Sequence, residues 1–254
     1  MQTTATTLLS RIATLLRAKE RLVFYAIALY ALDAAAPLFT SWFADHKPLA
    51  KLLQNDNSPL WDMVAHPGIV IALVTVAYFG LVAWFRAGYI RSIVGAQHFG
   101  PRDDAQFGAL FVVMAALAGL GDALGYAISR TGSSLSAATI LLPLAALGLT
   151  LILQYTDYAV VITGVGPLPA ARRSWSTVRA NLSISVLVLI AIQLLAGFVL
   201  STTADAASGS WRQVLPLVVI RVVAVGSVAF VGDVALISVY IDTIERGAVP
   251  ASRH

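Results

Sequence analysis

Apolar residues fill most of this chain in long unbroken runs, and the polar residues gather in the short gaps between them. Six runs, near 22–43, 69–90, 108–129, 137–163, 182–203 and 214–241, are each long enough to cross a bilayer, which takes about 20 residues of helix. Two shorter stretches follow a different rule. In 1–21, Leu8, Leu9, Ile12, Leu15 and Leu16 recur at helical spacing with Arg11, Arg17, Lys19 and Arg21 between them. In 168–181, Leu168, Ala171, Trp175, Val178 and, just past it, Leu182 are spaced 3, 4, 3 and 4 residues apart, with Arg172, Ser176 and Arg179 on the other side. That pattern predicts helices lying in the membrane interface, apolar face towards the acyl chains and cations towards headgroups. The expected fold is all-α: a polytopic bundle of six transmembrane helices with N-terminal and mid-chain amphipathic interfacial helices. No long polar insert interrupts 1–254, so a single integral membrane domain is expected.

Composition points the same way. Of 254 residues, 58% are apolar and 12% charged, and the mean hydropathy is +0.80. Soluble domains carry roughly 25% charged residues, so half that number leaves too few to cover a water-facing surface. The net charge of +4 is spread over short clusters between apolar runs, which does not make the continuous basic face that nucleic-acid binding requires. The expected partners are membrane lipids and other membrane proteins, with no nucleic acid. The chain contains no cysteine, which removes disulfides, thiolate nucleophiles and Cys-ligated metals.

Lysine and arginine set the orientation. With the N-terminus inside, the inner segments hold twelve of them: Arg11, Arg17, Lys19, Arg21, Arg86, Arg91, Arg102, Arg172, Arg173, Arg179, Arg246 and Arg253. The outer loops hold four, Lys47, Lys51, Arg130 and Arg212. The positive-inside rule therefore predicts a multi-pass protein with both termini in the cytoplasm. The stretch 1–21 lacks a small-residue cleavage site, so it reads as an interfacial helix, not a signal peptide. The outer loop 44–68 is expected to carry short surface helices at 48–53 and 59–64. Trp42, Trp61, Trp84, Trp175 and Trp211 fall near the span ends, as an aromatic belt requires.

Six ionisable residues lie within spans: Asp33, Arg86, Asp122, Asp157, Arg221 and Asp233. A charge at mid-bilayer costs roughly 3 kcal/mol or more, so such groups face the bundle interior and find partners. At 1.5 Å per residue, Asp122 stands about 21 Å above the inner end of its span and Arg221 at a similar height. Asp157 and Asp233 both stand about 10 Å above their inner ends, near the level of Arg86 and Arg91. These residues are candidates for structural ion pairs, joined by Gln154 and Gln193, or for a polar path through the membrane.

Catalytic motifs are sparse. Gly119-Leu120-Gly121-Asp122 matches the GxGD signature of intramembrane aspartyl proteases, whose chemistry needs a second carboxylate sharing a proton with the first. Asp33 alone stands at a comparable depth, and the accompanying Tyr-Asp and Pro-Ala-Leu motifs are missing. His46, His66, His98 and His254 have no metal-ligand spacing, and no nucleophile elbow or phosphate-binding loop is present. Ser174 and Ser176 read as polar-face residues of the interfacial helix. No cofactor, metal site or catalytic residue is expected.

Gly164, Gly166, Pro167, Leu168, Ala171, Arg172, Arg173, Ser174, Trp175 and Arg179 together carry a resemblance. The segment is similar to one found in the six-span bacterial glycerophosphoryl diester phosphodiesterase membrane-domain group and related membrane domains of unknown function. Arg86-Ala87-Gly88-Tyr89-Ile90-Arg91 and Tyr240-Ile241-Asp242 are similar in style to the same group. No phosphodiesterase domain is seen in 1–254, so the resemblance implies the architecture of a multi-pass protein of a bacterial inner membrane and not the namesake activity. The first functional expectation is a non-enzymatic membrane scaffold or lipid-interacting module, working through Arg172, Arg173, Trp175 and Arg179. A small transporter or channel using the buried Asp and Arg residues is the alternative, and an intramembrane protease comes third. A transporter predicts a cavity reaching Asp33, Asp122 or Asp233.

Overall fold

The structure, a computed structural model, describes residues 5–44, 68–96, 98–130, 137–204 and 211–247. It is helical, with no strand among the described residues. In chain order the helices are α1 (Ala5–Ala18), α2 (Val23–Ala44), α3 (Ile69–Val94), α4 (Asp104–Arg130), α5 (Ala137–Leu153), α6 (Thr156–Thr163), α7 (Pro167–Ala180), α8 (Leu182–Ala204) and α9 (Trp211–Glu245). A 3₁₀ turn at Glu20–Leu22 joins α1 to α2.

Five helical segments are long and apolar enough to cross a membrane: Ile69–Val94, Asp104–Ile128, Ile140–Thr163, Leu182–Val199 and Leu215–Glu245. The protein is thus a multi-pass helical membrane protein. The sixth expected span coincides with α2, a helix of 22 residues whose side chains from residue 36 on are outside the described set. The surface helices expected at 48–53 and 59–64 lie outside the described residues.

Neighbours in sequence are mostly neighbours in space. α2 packs on α3, α3 on α4, and α4 on α5, while α8 packs on α9 and α9 on α2. A contact between α5 and α8 completes the ring. Within the bilayer apolar helix faces gain little by leaving lipid, so association depends on close packing and polar contacts. Gly226 shows the first. A Cβ there would stand 2.6 Å from the Ile27 Cα, so only glycine lets α9 approach α2 this closely. Lipid-facing residues such as Leu141, Leu144, Leu187, Leu194 and Phe198 remain exposed.

The densest packing lies between the ring and the helices α1, α6 and α7. Tyr89, Tyr155, Tyr158 and Tyr240 are fully buried there, with Tyr155 stacked on Tyr240 at 6.2 Å between centroids. α1 adds Leu8 to this core, with Ile12, Leu15 and Leu16 packed behind it. Arg11 on α1 donates to both Glu245 carboxylate oxygens, at 3.0 and 3.1 Å. That hydrogen bond raises the Arg11 pKa above its already basic value, so the clasp between α1 and the end of α9 keeps its cation.

The run 137–163, expected as one helix, is broken at Gln154 and Tyr155. Ser174 of α7 holds the break open. Its hydroxyl donates to the Ile152 carbonyl at 2.6 Å and accepts the Tyr155 N–H at 3.0 Å. Beyond the break, α6 ends at Gly164, which takes a left-handed φ of 67°. Gln106 of α4 donates to the Val160 and Val161 carbonyls there, at 3.2 and 3.0 Å. Both ends of α6 therefore have backbone partners from other helices. Pro167 then opens α7, where its missing N–H costs nothing.

Ser174 is a correction to the sequence reading. It is fully buried and belongs to the face of α7 that docks on the protein, together with Ala170, Thr177 and Val178. The predicted apolar stripe is split: Val178 is buried, while Leu168, Trp175 and Leu182 are exposed. Small residues pack inward and large apolar ones face outward.

Candidate functional site

Two helical turns of α3 present Tyr78, Val82 and Arg86 along one side, four residues apart. Arg86 is the centre of an ionic group that joins α3, α6 and α9. Its Nη1 and Nη2 donate to the two Asp233 oxygens at 2.7 and 2.8 Å, a fork-to-fork pairing that suits a planar guanidinium. Its Nε donates to Asp157 Oδ2 at 2.8 Å. The Tyr158 hydroxyl receives a weaker bond from Nη2 at 3.2 Å and itself donates to Asp233. The Arg86 guanidinium also lies 5.6 Å from the Tyr89 ring centroid and 5.3 Å from that of Tyr158. Asp157 further accepts the Tyr158 N–H at 2.9 Å.

The helix break is what brings this group together. It lets Asp157 and Tyr158, adjacent in sequence, both face α3 and α9 from the first turn of α6. Without the fork and these bonds, three ionic groups within spans would each carry a large desolvation cost.

The ionic group forms one wall of a cavity of about 440 Å3. Its lining comes from α2, α3, α4, α5, α6 and α9. Asp33, Arg86, Gln154, Asp157 and Asp233 are its principal polar residues, and Leu29, Leu117, Leu120, Leu149 and Leu153 supply much of the rest. Asp33 is exposed although it stands on this interior wall. The Tyr78 hydroxyl donates to one of its oxygens. Gln154 borders the same cavity, and its buried amide nitrogen and oxygen have no hydrogen-bond partner among the described residues. Volume and lining fall in the usual range of small-molecule sites, mostly apolar with a few polar groups.

Four of the six intramembrane charges expected from the sequence, Asp33, Arg86, Asp157 and Asp233, are thus gathered around one space. Asp122 and Arg221 are elsewhere. Asp122 is half-buried and does not line the cavity, although its neighbours Leu120 and Gly121 do. Arg221 is buried on α9, and neither is a free charge. Gln193, expected to join the charges, is exposed on α8. Tyr78 and Tyr158 were not singled out as site residues. Tyr158 neighbours Asp157 in sequence, and Tyr78 shares a helix face with Arg86, so each had a local signal. Nothing local links Tyr78 to Asp33.

The basic residues of α7 divide. Arg172 and Arg179 are exposed beside Trp175, and the Arg179 guanidinium lies 5.9 Å from the Trp175 ring centroid. Arg173 is half-buried and its Nη1 is enclosed, so it turns towards the protein. Among the described residues no group of His, Asp and Glu side chains could hold a metal ion.

Comparison with protein-family models, curated proteins and solved structures finds no match for this chain. The resemblance of residues 164–179 to the phosphodiesterase membrane-domain group therefore rests on those residues alone.

Proposed function

We propose that the protein is a small transporter or channel of a bacterial inner membrane, with Arg86, Asp157, Asp233 and Asp33 lining its path. The observation that carries this reading is the 440 Å3 cavity that these four residues share. A bundle held together only by polar glue has no need of such a space, since its charges could pair directly in a packed core. The break at Gln154–Tyr155 supports the same reading. Irregular backbone at membrane depth is tolerated where it is buried in protein or lines a cavity, and discontinuous helices at the binding site are a recurrent transporter device.

The test uses the absence of native cysteine. Leu149→Cys places a thiol on the cavity wall, and Leu187→Cys places one on the lipid face. A small, membrane-impermeant methanethiosulfonate reagent is expected to modify the first and not the second. A Leu149→Cys protein that folds and stays unmodified has a dry, closed interior, which removes the reading.

A lipid-binding or scaffolding face is a second reading, favoured by exposed Arg172, Trp175 and Arg179 on α7. It is compatible with the first, because α7 also holds the helix break through Ser174. The protease reading has less support. Asp122 of the GxGD motif does not line the cavity that Asp33 lines, so the two carboxylates that a catalytic dyad would need are not brought to one space.

A further inference from the structure

We infer that the cavity takes a small organic cation bearing an ammonium or guanidinium group, with Asp33 as its counter-ion. The inference rests on the reading of the cavity as a ligand site and names the class of ligand.

Charge comes first. The cavity wall carries three carboxylates, Asp33, Asp157 and Asp233, against one guanidinium, Arg86. Arg86 is already paired with two of them: both Asp233 oxygens and Asp157 accept from it, as does the Tyr158 hydroxyl. Among the described residues no other lysine, arginine or histidine lines the space. An anionic solute would meet a surplus of carboxylates and no cation that is not already paired.

Asp33 stands apart from the Arg86 group. The Tyr78 hydroxyl bonds one of its oxygens, and the residue is accessible from the cavity. The ring of Tyr30 shares the wall and can offer its face to a cation. The amide of Gln154, enclosed at the cavity edge, has no hydrogen-bond partner among the described residues, and its carbonyl oxygen becomes an acceptor for a ligand N–H if the side chain turns to the cavity.

Size and shape select the kind of cation. A bare metal ion needs several oxygen ligands converging on one point, and no such group exists among the described residues. A cavity of about 440 Å3 lined largely by leucine suits an ammonium or guanidinium head on a short apolar body.

The experiment measures binding of four probes of similar size to the purified, reconstituted chain: n-propylammonium, n-propylguanidinium, propionate and propanol. The two cations are expected to bind and to compete with each other, and the other two are not. Asp33→Asn is expected to weaken cation binding by about tenfold or more, the loss of a charge-assisted hydrogen bond. Gly121→Phe is the control for folding defects at Asp33. Gly121 lines the cavity, and a side chain there meets no atom within 4 Å of its Cβ, so this variant adds bulk at the wall while leaving every carboxylate in place. It is expected to abolish binding.

Equal binding of propionate or propanol overturns the cation inference and leaves the ligand cavity standing. Cation binding that survives both variants places the site elsewhere and overturns it as well. If no probe binds while Leu149→Cys is modified, the cation inference falls and the water-accessible cavity stands. If no probe binds and Leu149→Cys is inert, both fall together.

Discussion

Arg86 and Asp233, 147 residues apart in sequence, meet through two parallel hydrogen bonds of 2.7 and 2.8 Å. The pair joins α3 to α9, and Asp157 on the same guanidinium adds α6. One cation therefore ties together the second and last long helices and the segment after the break.

Arg86→Ala leaves two carboxylates within the membrane without their cation. Removing one partner from a buried ionic group costs about 3–5 kcal/mol, and a loss of that size is expected in reversible unfolding by denaturing detergent. Arg86→Lys keeps the charge but loses the fork, so it is expected to fall between wild type and Arg86→Ala. A neutral effect of Arg86→Ala would mean that the carboxylates are hydrated or protonated without it.

Ser174→Ala removes the hydroxyl that serves both the Ile152 carbonyl and the Tyr155 N–H. The buried Tyr155 N–H and the part-buried Ile152 carbonyl then lose this partner, and leaving the buried N–H unpaired costs about 1–3 kcal/mol. Hydrogen exchange at residues 152–156 is expected to speed up, while exchange at the far end of α9 is unchanged. Unaltered protection at the break would show that helical continuity, not Ser174, determines its geometry.

Gly226→Leu forces the α9 backbone away from Ile27, since even a Cβ would stand 2.6 Å from the Ile27 Cα. Overpacking costs about 1–3 kcal/mol and is expected to lower the thermal stability of the purified protein. Ile27→Ala is expected to restore little of it, because the nearest atom is backbone. Full rescue by that change would place the clash in the side chain instead.

Orientation is testable through the absence of native cysteine. Ser176→Cys, on α7, is expected to resist an impermeant maleimide in right-side-out vesicles and to react once they are permeabilised. Labelling before permeabilisation would reverse the inside and outside inferred from the distribution of lysine and arginine.

Much of this protein follows from local pattern alone. A run of about 20 apolar residues needs lipid and must be helical there, because no other single segment satisfies its own backbone. The predicted bounds 69–90, 108–129, 182–203 and 214–241 accordingly fall on α3, α4, α8 and α9, with the helices extending up to four residues beyond them. The amphipathic spacing of 1–21 and 168–181 likewise falls on α1 and α7. That Asp33, Arg86, Asp157 and Asp233 need partners was also legible, since an unshielded charge in hydrocarbon is costly wherever it occurs.

Other features depended on contacts between residues distant in sequence. The break at Gln154–Tyr155 is invisible to hydropathy, because its stabilising hydroxyl comes from Ser174, on a different helix. The inward face of α7 was misjudged for the same reason: small Ala170 and Ser174 fit against protein, while larger Leu168 and Trp175 suit lipid. Partner choice among the charges was equally open. Depth along a span can be counted from residue number, but the direction in which a side chain points depends on how the ring closes. Closure brought Asp157 and Asp233 to Arg86 and left Asp122 off the cavity wall. Composition and periodicity thus determined the helices and their need for lipid, whereas packing decided which polar groups share the central space.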